Sequence, residues 1–246
     1  MKLSDYKVLS FDCYGTLIDW ETGIWDAMQP LLMSNGRADI DRKTGLGAYA
    51  QFEYSHESKR PALPYPKVLE LIHASIAQHF GLTNSSGLDQ AFGASVPSWP
   101  AFTDSADALR ILKSHFKLVI LSNVNRDGFA ASNRKLGVEF DAIYTAEDVG
   151  SYKPNPDNFE YLIRNVSKDL GHEAGDIMHT AQSLHHDHVQ AKAFGLANTW
   201  IDRQGLSKGG DWGATAIVAQ RPKTDFVFYS MMEMASAFGN GAPSKC

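Results

Sequence analysis

Four short segments of the chain place polar or charged side chains directly after apolar runs. They carry Asp12 with Thr16, Ser122 with Asn123, Lys153 in "SYKPNP", and Asp187 in "AQSLHHDH". An aspartate can act as a covalent nucleophile when a cation keeps it ionised and a hydroxyl orients it. Lys153 could supply that charge as a point cation. The residue types therefore predict nucleophilic catalysis by Asp12, with Thr16 and Lys153 as its supporting groups.

The strands that would position these residues are predicted by short, continuous apolar or β-branched runs. The runs are Val8–Phe11, Leu118–Leu121, Ala142–Thr145, Ile177–Thr180, Thr199–Ile201 and Phe226–Tyr229. Such runs are typical of parallel strands that are buried on both faces. Helical periodicity lies between them, which predicts an α/β fold with a doubly wound parallel sheet. Sites in such sheets lie beyond the carboxyl ends of the strands, where Asp12 and Ser122 are found.

A second region, residues 18–98, breaks this alternation and is predicted to be mostly helical. Its apolar periodicity favours helices over Ile24–Met33, Leu46–Tyr54, Val68–Phe80 and Leu88–Phe92. Turn-rich stretches such as "SKRPALPYP" separate them. We therefore expect two units: a core formed by residues 1–17 and 99–246, and a helical cap formed by residues 18–98 that closes over the strand ends.

The composition is that of an ordinary globular protein and excludes several classes of function. The chain has 246 residues, of which 43% are hydrophobic and 21% charged, with a net charge of −5. Interspersed charges of this kind indicate neither a nucleic-acid surface nor a membrane surface. The N-terminus lacks the apolar segment of a signal peptide. The two cysteines, Cys13 and Cys246, do not suggest a disulfide framework, so a cytoplasmic location is expected.

In their order along the chain these segments resemble the motifs of the haloacid dehalogenase superfamily. "FDCYGTL" resembles its first motif, Ser122 its second, Lys153 its third and "AQSLHHD" its fourth. The inserted helices resemble the cap of the family's first cap class, so the resemblance covers nearly the whole chain. It implies a Rossmann-like core and a covalent intermediate on Asp12. The implied catalytic residues are Asp12, Thr16, Lys153 and Asp187, and the implied substrate-binding residues are Tyr14, Ser122, Asn123, Gln182, Ser183 and His186.

Two positions separate the chain from the superfamily's metal-dependent phosphatases. Tyr14 stands where those enzymes carry a second aspartate as general acid, and a phenol has a pKa of about 10. Gln182 stands where they carry an acid that helps to bind magnesium, and an amide is a weaker ligand for that ion. Both features resemble the L-2-haloacid dehalogenase branch. That resemblance implies no metal and no cofactor: Asp12 attacks the carbon that bears the halogen, and water near Asp187 and Lys153 hydrolyses the ester.

The segment Leu46–Ser55 resembles the cap helix of the dehalogenases, but one residue of it departs from their pattern. Those enzymes carry an arginine there that holds the leaving halide, and the corresponding residue here is Ala48. Leu184 likewise replaces an asparagine, and His186 replaces an aromatic residue. Two basic residues in the neighbouring turn are candidates for the role of the arginine: Lys59 and Arg60.

Several of the candidate residues, including those of the fourth motif, could have a purely structural role instead of a catalytic one. The histidines are His179, His185, His186 and His188. Adjacent histidines without a cysteine argue against a zinc site, and one histidine acting as an acid–base group is the favoured alternative. Asp187 could instead cap the helix that follows it, and Ser122-Asn123 could cap another. Cys13 is expected to point to the opposite face of its strand, into packing.

The sequence therefore predicts a metal-independent hydrolase that cleaves a carbon–halogen bond of a small, anionic 2-halocarboxylic acid. Three alternatives stay open: a hydrolase of a carboxylate without halogen, a magnesium-dependent phosphatase, and a binding protein without catalysis. Enzymes of the dehalogenase type often dimerise through the cap, and the sequence leaves a homodimer open. No nucleic-acid or membrane partner is expected.

Overall fold

In the computed structural model, which describes residues 2–211 and 213–239, the central element is a sheet of six parallel strands. The strands are β1 (Val8–Phe11), β2 (Lys117–Ser122), β3 (Ala142–Thr145), β4 (Ile177–Ala181), β5 (Ala197–Ile201) and β6 (Phe226–Phe228). Their spatial order is β3-β2-β1-β4-β5-β6. Each of them coincides with a predicted apolar run, with small differences at the ends. The predicted doubly wound parallel sheet is confirmed.

In the sheet, β1 lies at the point where the order of strand addition reverses: β2 and β3 lie on one side of it, and β4 to β6 on the other. β1 pairs with β2 on one side and with β4 on the other, with Phe11 opposite both Ile120 and Thr180. A crevice opens beyond the carboxyl ends at such a switch point. The residue that follows β1, Asp12, therefore emerges in the middle of the edge where a site is expected.

The helices fall into an inserted group and a group that covers the sheet. The inserted helices are α1 (Trp20–Ser34), α2 (Arg42–Lys59), α3 (Tyr65–His79) and α4 (Ser86–Gly93). The others are α5 (Ser105–Lys113), α6 (Arg126–Leu136), α7 (Ala146–Val149), α8 (Asp157–Leu170), α9 (Val189–Ala193) and α10 (Met231–Gly239). The helices α1–α4 lie where helices were predicted. All four begin before the predicted ranges, and all but α3, which ends at His79, also extend past them, because apolar periodicity marks only the buried face and not the polar ends.

The strand β1 is buried on both faces, as a central parallel strand should be. Leu9 and Phe11 belong to one apolar cluster and Val8 to a second cluster. Cys13 lies buried in the same cluster as Phe11, as expected, whereas Cys246 lies outside the described residues. Across residues 2–211 and 213–239, none of the helices combines the length and the apolarity that crossing a membrane would require.

A buried tryptophan joins the inserted helices to the carboxyl end of β1. Trp99 is fully buried, and its indole Nε1 donates to Ser95 Oγ at 3.1 Å. Its ring meets the ring of Tyr14 edge-on, with 5.4 Å between the centroids. On the other side the backbone of Gly23 in α1 approaches the indole so closely that a Cβ atom there would overlap the ring. The position of α1 therefore depends on the absence of a side chain at Gly23.

We expect Gly23→Ala to lower the free energy of unfolding by about 1–3 kcal/mol, because the added methyl group overpacks the contact with Trp99. Gly47→Ala is the matched control, since a Cβ at this exposed helical position meets nothing within 4 Å. That change should leave stability unchanged or raise it by about 0.4–1 kcal/mol. Urea unfolding of both variants is the measurement. Equal stability of the two variants would contradict the packing described for Trp99.

Candidate active site

Asp12 is the first residue after β1, and both of its carboxylate oxygens are held. Thr16 Oγ1 donates to Asp12 Oδ2 at 2.7 Å, and Lys153 Nζ donates to Asp12 Oδ1 at 2.9 Å. Gly15, with φ of +94°, forms the turn that brings Thr16 back toward the carboxylate. The Thr16 hydroxyl accepts from the backbone N–H of Gln182 at 2.9 Å, so its single proton is committed to Asp12.

Lys153 lies between two carboxylates at the centre of the site. Its side chain is only 1% exposed, which excludes the reading as a surface lysine. Besides Asp12, its Nζ donates to Asp187 Oδ1 at 2.7 Å and to the carbonyl oxygen of Leu121 at 2.9 Å. An ammonium group has three protons, so all of its donors are used. Lys153 therefore acts on its neighbours as a fixed, fully bonded positive charge.

Asp187 lies in a π-helical turn, Leu184–His188, that precedes α9. Its Oδ1 also lies 2.9 Å from His179 Nε2, and His179 Nδ1 lies 2.9 Å from Ser10 Oγ. Because an ionised carboxylate only accepts, the proton of a neutral His179 is on Nε2, and Ser10 donates to Nδ1. Asp187 Oδ2 is buried without a partner in the described residues. The alternative reading of Asp187 as a helix cap is wrong, because α9 begins after His188.

Asn123 connects the end of β2 to the backbone of Lys153. Its Oδ1 accepts from the Lys153 N–H at 2.7 Å, and its Nδ2 donates to the Lys153 carbonyl at 3.0 Å. The reading of Ser122-Asn123 as a helix cap is wrong, because the residue before α6 is Asn125. Ser122 Oγ is buried and has no hydrogen-bond partner among the residues described.

A cavity of about 130 Å³ lies in front of Asp12. Of the residues predicted for the site, those that line it are Asp12, Tyr14, Asn123, Lys153, Gln182, Ser183, His186 and Asp187. Thr16 and Ser122 are buried beside it and do not line it. The structure thus gathers the four predicted motifs at one edge of the sheet, although they are distant in sequence.

Three of the lining side chains are turned toward partners of their own. The Tyr14 hydroxyl lies 3.0 Å from Ser132 Oγ, and burial raises the pKa of Tyr14 well above its ordinary value of 10.0. Gln182 Nε2 donates to Gln204 Oε1 at 2.6 Å. His186 Nδ1 lies 3.1 Å from the hydroxyl oxygen of the Ser183 side chain. These side chains form a wall of fixed shape, and Tyr14 is not suited to protonate a leaving group near neutral pH.

The histidines of the fourth motif do not converge on one point, although the rings of His185 and His186 meet edge-on with 5.1 Å between their centroids. His186 lines the cavity, and burial lowers its pKa to about 4, so it is neutral at pH 7. His179 lies behind Asp187, and His188 Nε2 lies 2.9 Å from the carbonyl oxygen of Ala181. The ring of His185 meets the ring of Tyr54, outside the cavity lining. In the described part of the chain, no three His, Cys, Asp or Glu side chains are arranged to hold a metal ion.

The helix α2 forms the opposite wall of the cavity. The residues that it contributes are Ala50, Glu53, Tyr54 and Glu57. Glu53 Oε1 accepts from the hydroxyl of Tyr49 at 2.5 Å and from the hydroxyl of Tyr65 at 3.1 Å. The carboxyl group of Glu57 has no hydrogen bond or ion pair in the described residues, although Glu57 is only 6% exposed. The wall therefore carries two acids where the dehalogenase pattern implied an arginine.

The residues predicted to face a departing halide do not reach the cavity. Ala48 is buried but does not line it. Side chains two positions apart on a helix point in nearly opposite directions, which is why Ala50 lines the cavity instead. Lys59 and Arg60 are exposed, and they bond to Ser55 and His56 of their own helix. Neither of these two candidates for the role of the arginine lines the cavity.

Asp12, Lys153 and Asp187 change one another's pKa values. Burial raises the pKa of Asp12 above its ordinary value of 3.8, and Lys153 only partly opposes this effect. Burial would also raise the pKa of Asp187, but Lys153 and His179 outweigh it and lower that pKa strongly. Burial disfavours the ammonium of Lys153, yet the two carboxylates raise its pKa. Asp187 and Lys153 therefore stay charged, and Asp12 is the member that first takes up a proton as pH falls.

The residues at this edge do not fit the magnesium ion that the superfamily's phosphatases bind. Magnesium requires oxygen ligands in near-octahedral geometry. Here Lys153 Nζ occupies the space between the Oδ1 atoms of Asp12 and Asp187, and Thr16 holds the other oxygen of Asp12. Gln182 is an amide that bonds away from Asp12, toward Gln204. The site therefore lacks the carboxylate ligand whose position Gln182 takes.

Sequence reasoning missed Glu53 and Glu57. The available signal was their spacing of four residues, which puts both on the face of α2 that also carries the buried Leu46 and Tyr49. Leu184, which stands where the dehalogenases have an asparagine, is packed against Trp200 in an apolar cluster, so it does not contact water in the cavity.

Solved structures of known proteins share this fold. An L-2-haloacid dehalogenase from Xanthobacter autotrophicus superposes with a TM-score of 0.77 at 20% identity, over 96% of this chain and 100% of that chain. The same enzyme with chloropropionic acid covalently bound gives 0.77 at 19% identity, over 96% and 100%. YfnB from Bacillus subtilis, bound to magnesium, gives 0.74 at 17% identity, over 95% and 99%. At these identities the likeness establishes the fold alone.

The sequence itself carries the assignment to a family. No protein of curated function matches the chain significantly by sequence. The model of the haloacid dehalogenase-like hydrolases matches residues 6–178, a segment that contains β1 to β3, Asp12 and Lys153. This match covers most of the chain, and the parallel sheet, its strand order and the Asp12–Lys153–Asp187 arrangement agree with it. The chain therefore belongs to the haloacid dehalogenase-like hydrolases.

Proposed function

We propose that this hydrolase cleaves a carbon–halogen bond of a small 2-halocarboxylic acid without a metal ion, through a covalent ester on Asp12. The observation that carries the proposal is Lys153 Nζ, which lies 2.9 Å from Asp12 Oδ1 and 2.7 Å from Asp187 Oδ1. A fixed ammonium can keep the nucleophile ionised, which a metal does elsewhere in the superfamily. The covalent chloropropionic acid in the Xanthobacter autotrophicus structure supports the same chemistry on this fold.

In the first step, a carboxylate oxygen of Asp12 attacks the carbon that bears the halogen. The carbon–oxygen bond forms as the carbon–halogen bond breaks, and the halide leaves with the bonding electron pair. No proton is needed, because a halide is a stable anion. This step suits the site, because Tyr14 stands where the phosphatases carry their general acid and its hydroxyl is hydrogen-bonded to Ser132. Thr16 and Lys153 fix the orientation of the attacking carboxylate.

In the second step, water attacks the carbonyl carbon of the ester on Asp12. Asp187 Oδ2, buried and without a hydrogen-bond partner in the described residues, is the acceptor for the proton of that water. Lys153 donates toward the oxygen on which negative charge develops, as an oxyanion-stabilising group would. The tetrahedral intermediate then breaks its bond to the substrate oxygen, which takes the proton held by Asp187 and leaves as the hydroxyl of a 2-hydroxy acid. The acid form of Asp12 loses its proton to solvent, which restores the carboxylate.

The substrate lies, in this proposal, between the core and a cap formed by residues 18–98. Asn123 lines the cavity, and the second proton of its Nδ2, which is not used in the bond to the Lys153 carbonyl, is the group that would donate to the substrate's carboxylate. The helix α2 closes the other side of the cavity through Ala50 and Tyr54. Exclusion of water by such a cap would protect the first step from competing hydrolysis.

The remaining alternatives are less well supported by the site. A magnesium-dependent phosphatase would need the ligands and the general acid that Gln182 and Tyr14 do not supply, although YfnB shares the fold and binds magnesium. A hydrolase of carboxylates without halogen would use the same Asp12 and Lys153 and differ only in its leaving group. A binding protein without catalysis would leave the buried charges of Lys153 and Asp187 without a function.

We expect the purified protein to release chloride from 2-chloropropionate at the same rate with and without EDTA, because no step depends on a metal. It should release no phosphate from a generic phosphate monoester under either condition. Asp12→Asn should abolish chloride release, since an amide is not nucleophilic, while Asp26→Asn at an exposed position should not. Phosphate release that stops with EDTA and returns with magnesium would replace this assignment by the phosphatase.

We expect kcat/KM for 2-chloropropionate to fall on the acid side through a pKa above 3.8. Asp12 must be ionised to attack, and burial raises its pKa above that ordinary value, so activity is lost as Asp12 takes up a proton. Lys153 has a raised pKa, so it should cause no loss on the alkaline side below about pH 10. Halide release measured from about pH 4 to about pH 9 is the test, with circular dichroism to verify folding at each pH. Full kcat/KM at the acid end would contradict the account.

A further inference from the structure

The cavity wall opposite Asp12 carries a pair of acids that the dehalogenation steps do not use. Glu53 and Glu57 are one helical turn apart on α2, and both line the cavity together with Asp12 and Lys153. Neither residue belongs to the four motifs of the core. Their side chains must therefore be explained by what the cavity holds.

Glu57 lacks the partner that a buried carboxylate needs. It is 94% buried, and within residues 2–211 and 213–239 its carboxyl group makes no hydrogen bond or ion pair. Burial, with the charge of Glu53 added, raises the pKa of Glu57 well above its ordinary value, which reflects the cost of leaving the charge uncompensated. Lys153 is the basic residue of the same lining, but its three protons are already donated elsewhere. A cation in the cavity would supply the counter-charge that Lys153 provides only in part.

Glu53, the second acid of this wall, is fixed in position by hydrogen bonds from two tyrosines. The hydroxyls of Tyr49 and Tyr65 both bond to its Oε1, and those hydroxyls lie 3.0 Å from each other. Both phenols point at one oxygen, so Oε2 makes no hydrogen bond or ion pair within the described residues. The carboxylate is thus fixed in orientation beside Glu57 and can accept one further donor from the cavity.

The charges and rings of the lining favour a cation over an anion at this end. Among the described residues of the lining, four are acids (Asp12, Glu53, Glu57 and Asp187) and one is a base, Lys153. The aromatic rings among the lining residues are those of Tyr14, Trp20, Tyr54 and Tyr65. Ring faces attract ammonium and guanidinium groups, and acids nearby add to that attraction. A group with only negative charge would meet repulsion at the α2 wall.

We infer that the α2 end of the cavity binds a positively charged group of the substrate, an ammonium or guanidinium, against Glu57 and Glu53. This inference rests on the proposed function and narrows it: the substrate carries its carboxylate toward Asn123 and a cation toward α2. The cavity of about 130 Å³ restricts such a molecule to a small zwitterion. Glu57 and Glu53 then select the substrate and do not enter the bond-breaking steps.

The test is equilibrium binding of three unreactive compounds of the same chain length, measured by isothermal titration calorimetry. They are 5-aminopentanoate, pentylammonium and pentanoate. The wild type should bind 5-aminopentanoate at least about tenfold more tightly than pentanoate, as expected for a charge-assisted hydrogen bond in a desolvated site. Glu57→Gln should remove that preference, and Glu160→Gln, at an exposed position of α8, should retain it. Thermal unfolding would verify that both variants fold.

Four results would each overturn the inference. In the wild type they are equal affinities for 5-aminopentanoate and pentanoate, tighter binding of pentanoate, or no detectable binding of 5-aminopentanoate. The fourth is a preference for 5-aminopentanoate that survives in Glu57→Gln. The experiment requires no turnover, so it separates the two proposals. A protein that releases no halide but prefers the amine would retain the cation site and lose the dehalogenase assignment. An active dehalogenase that does not prefer 5-aminopentanoate would retain the dehalogenase assignment and lose the cation site. Pentylammonium that binds as tightly as 5-aminopentanoate would support the cation site and exclude the carboxylate contact at Asn123.

Discussion

The site depends on one buried interaction, the ammonium of Lys153 held between the carboxylates of Asp12 and Asp187. Removing either partner of such an arrangement leaves a charge uncompensated in the interior, which is strongly unfavourable. Several features of the fold serve to assemble it. The sheet order places Asp12 between β2 and β4, Asn123 fixes the backbone of Lys153 from both sides, and a π-helical turn presents Asp187. In the proposed reaction the same charge orients Asp12 and stabilises the oxygen on which negative charge develops.

The sequence predicted the core of the molecule well, because the core is specified by short-range patterns. Continuous apolar runs located all six described strands, and polar residues at their carboxyl ends located the site. Asp12 and Lys153 could be paired because parallel strands deliver their ends to one edge. The position of Cys13 followed from the alternation of side chains along an extended chain.

The inserted helices were harder to interpret, because their contribution to the site depends on how a helix is rotated about its axis. A likeness of sequence indicated Ala48 as the residue facing the halide, but the rotation of α2 presents Ala50, Glu53 and Glu57 instead. Lys59 and Arg60 lie near the end of the same helix and bond to their own turn. The π-helical turn at Asp187 has no sequence signature, so the sequence left open the reading of Asp187 as a cap of the following helix. Rotation and local winding are set by tertiary packing, which a single sequence does not display.

The central claim is that turnover passes through an ester on Asp12, and a single turnover in water enriched in heavy oxygen tests it most directly. Enzyme in excess over 2-chloropropionate would be allowed to react once, and the peptides would then be analysed by mass spectrometry. If water attacks the carbonyl carbon of the ester, one heavy oxygen should be found in the peptide containing Asp12, and the product should contain ordinary oxygen. Heavy oxygen in the product alone, with an unlabelled Asp12 peptide, would mean that water attacks the substrate directly and would contradict the account.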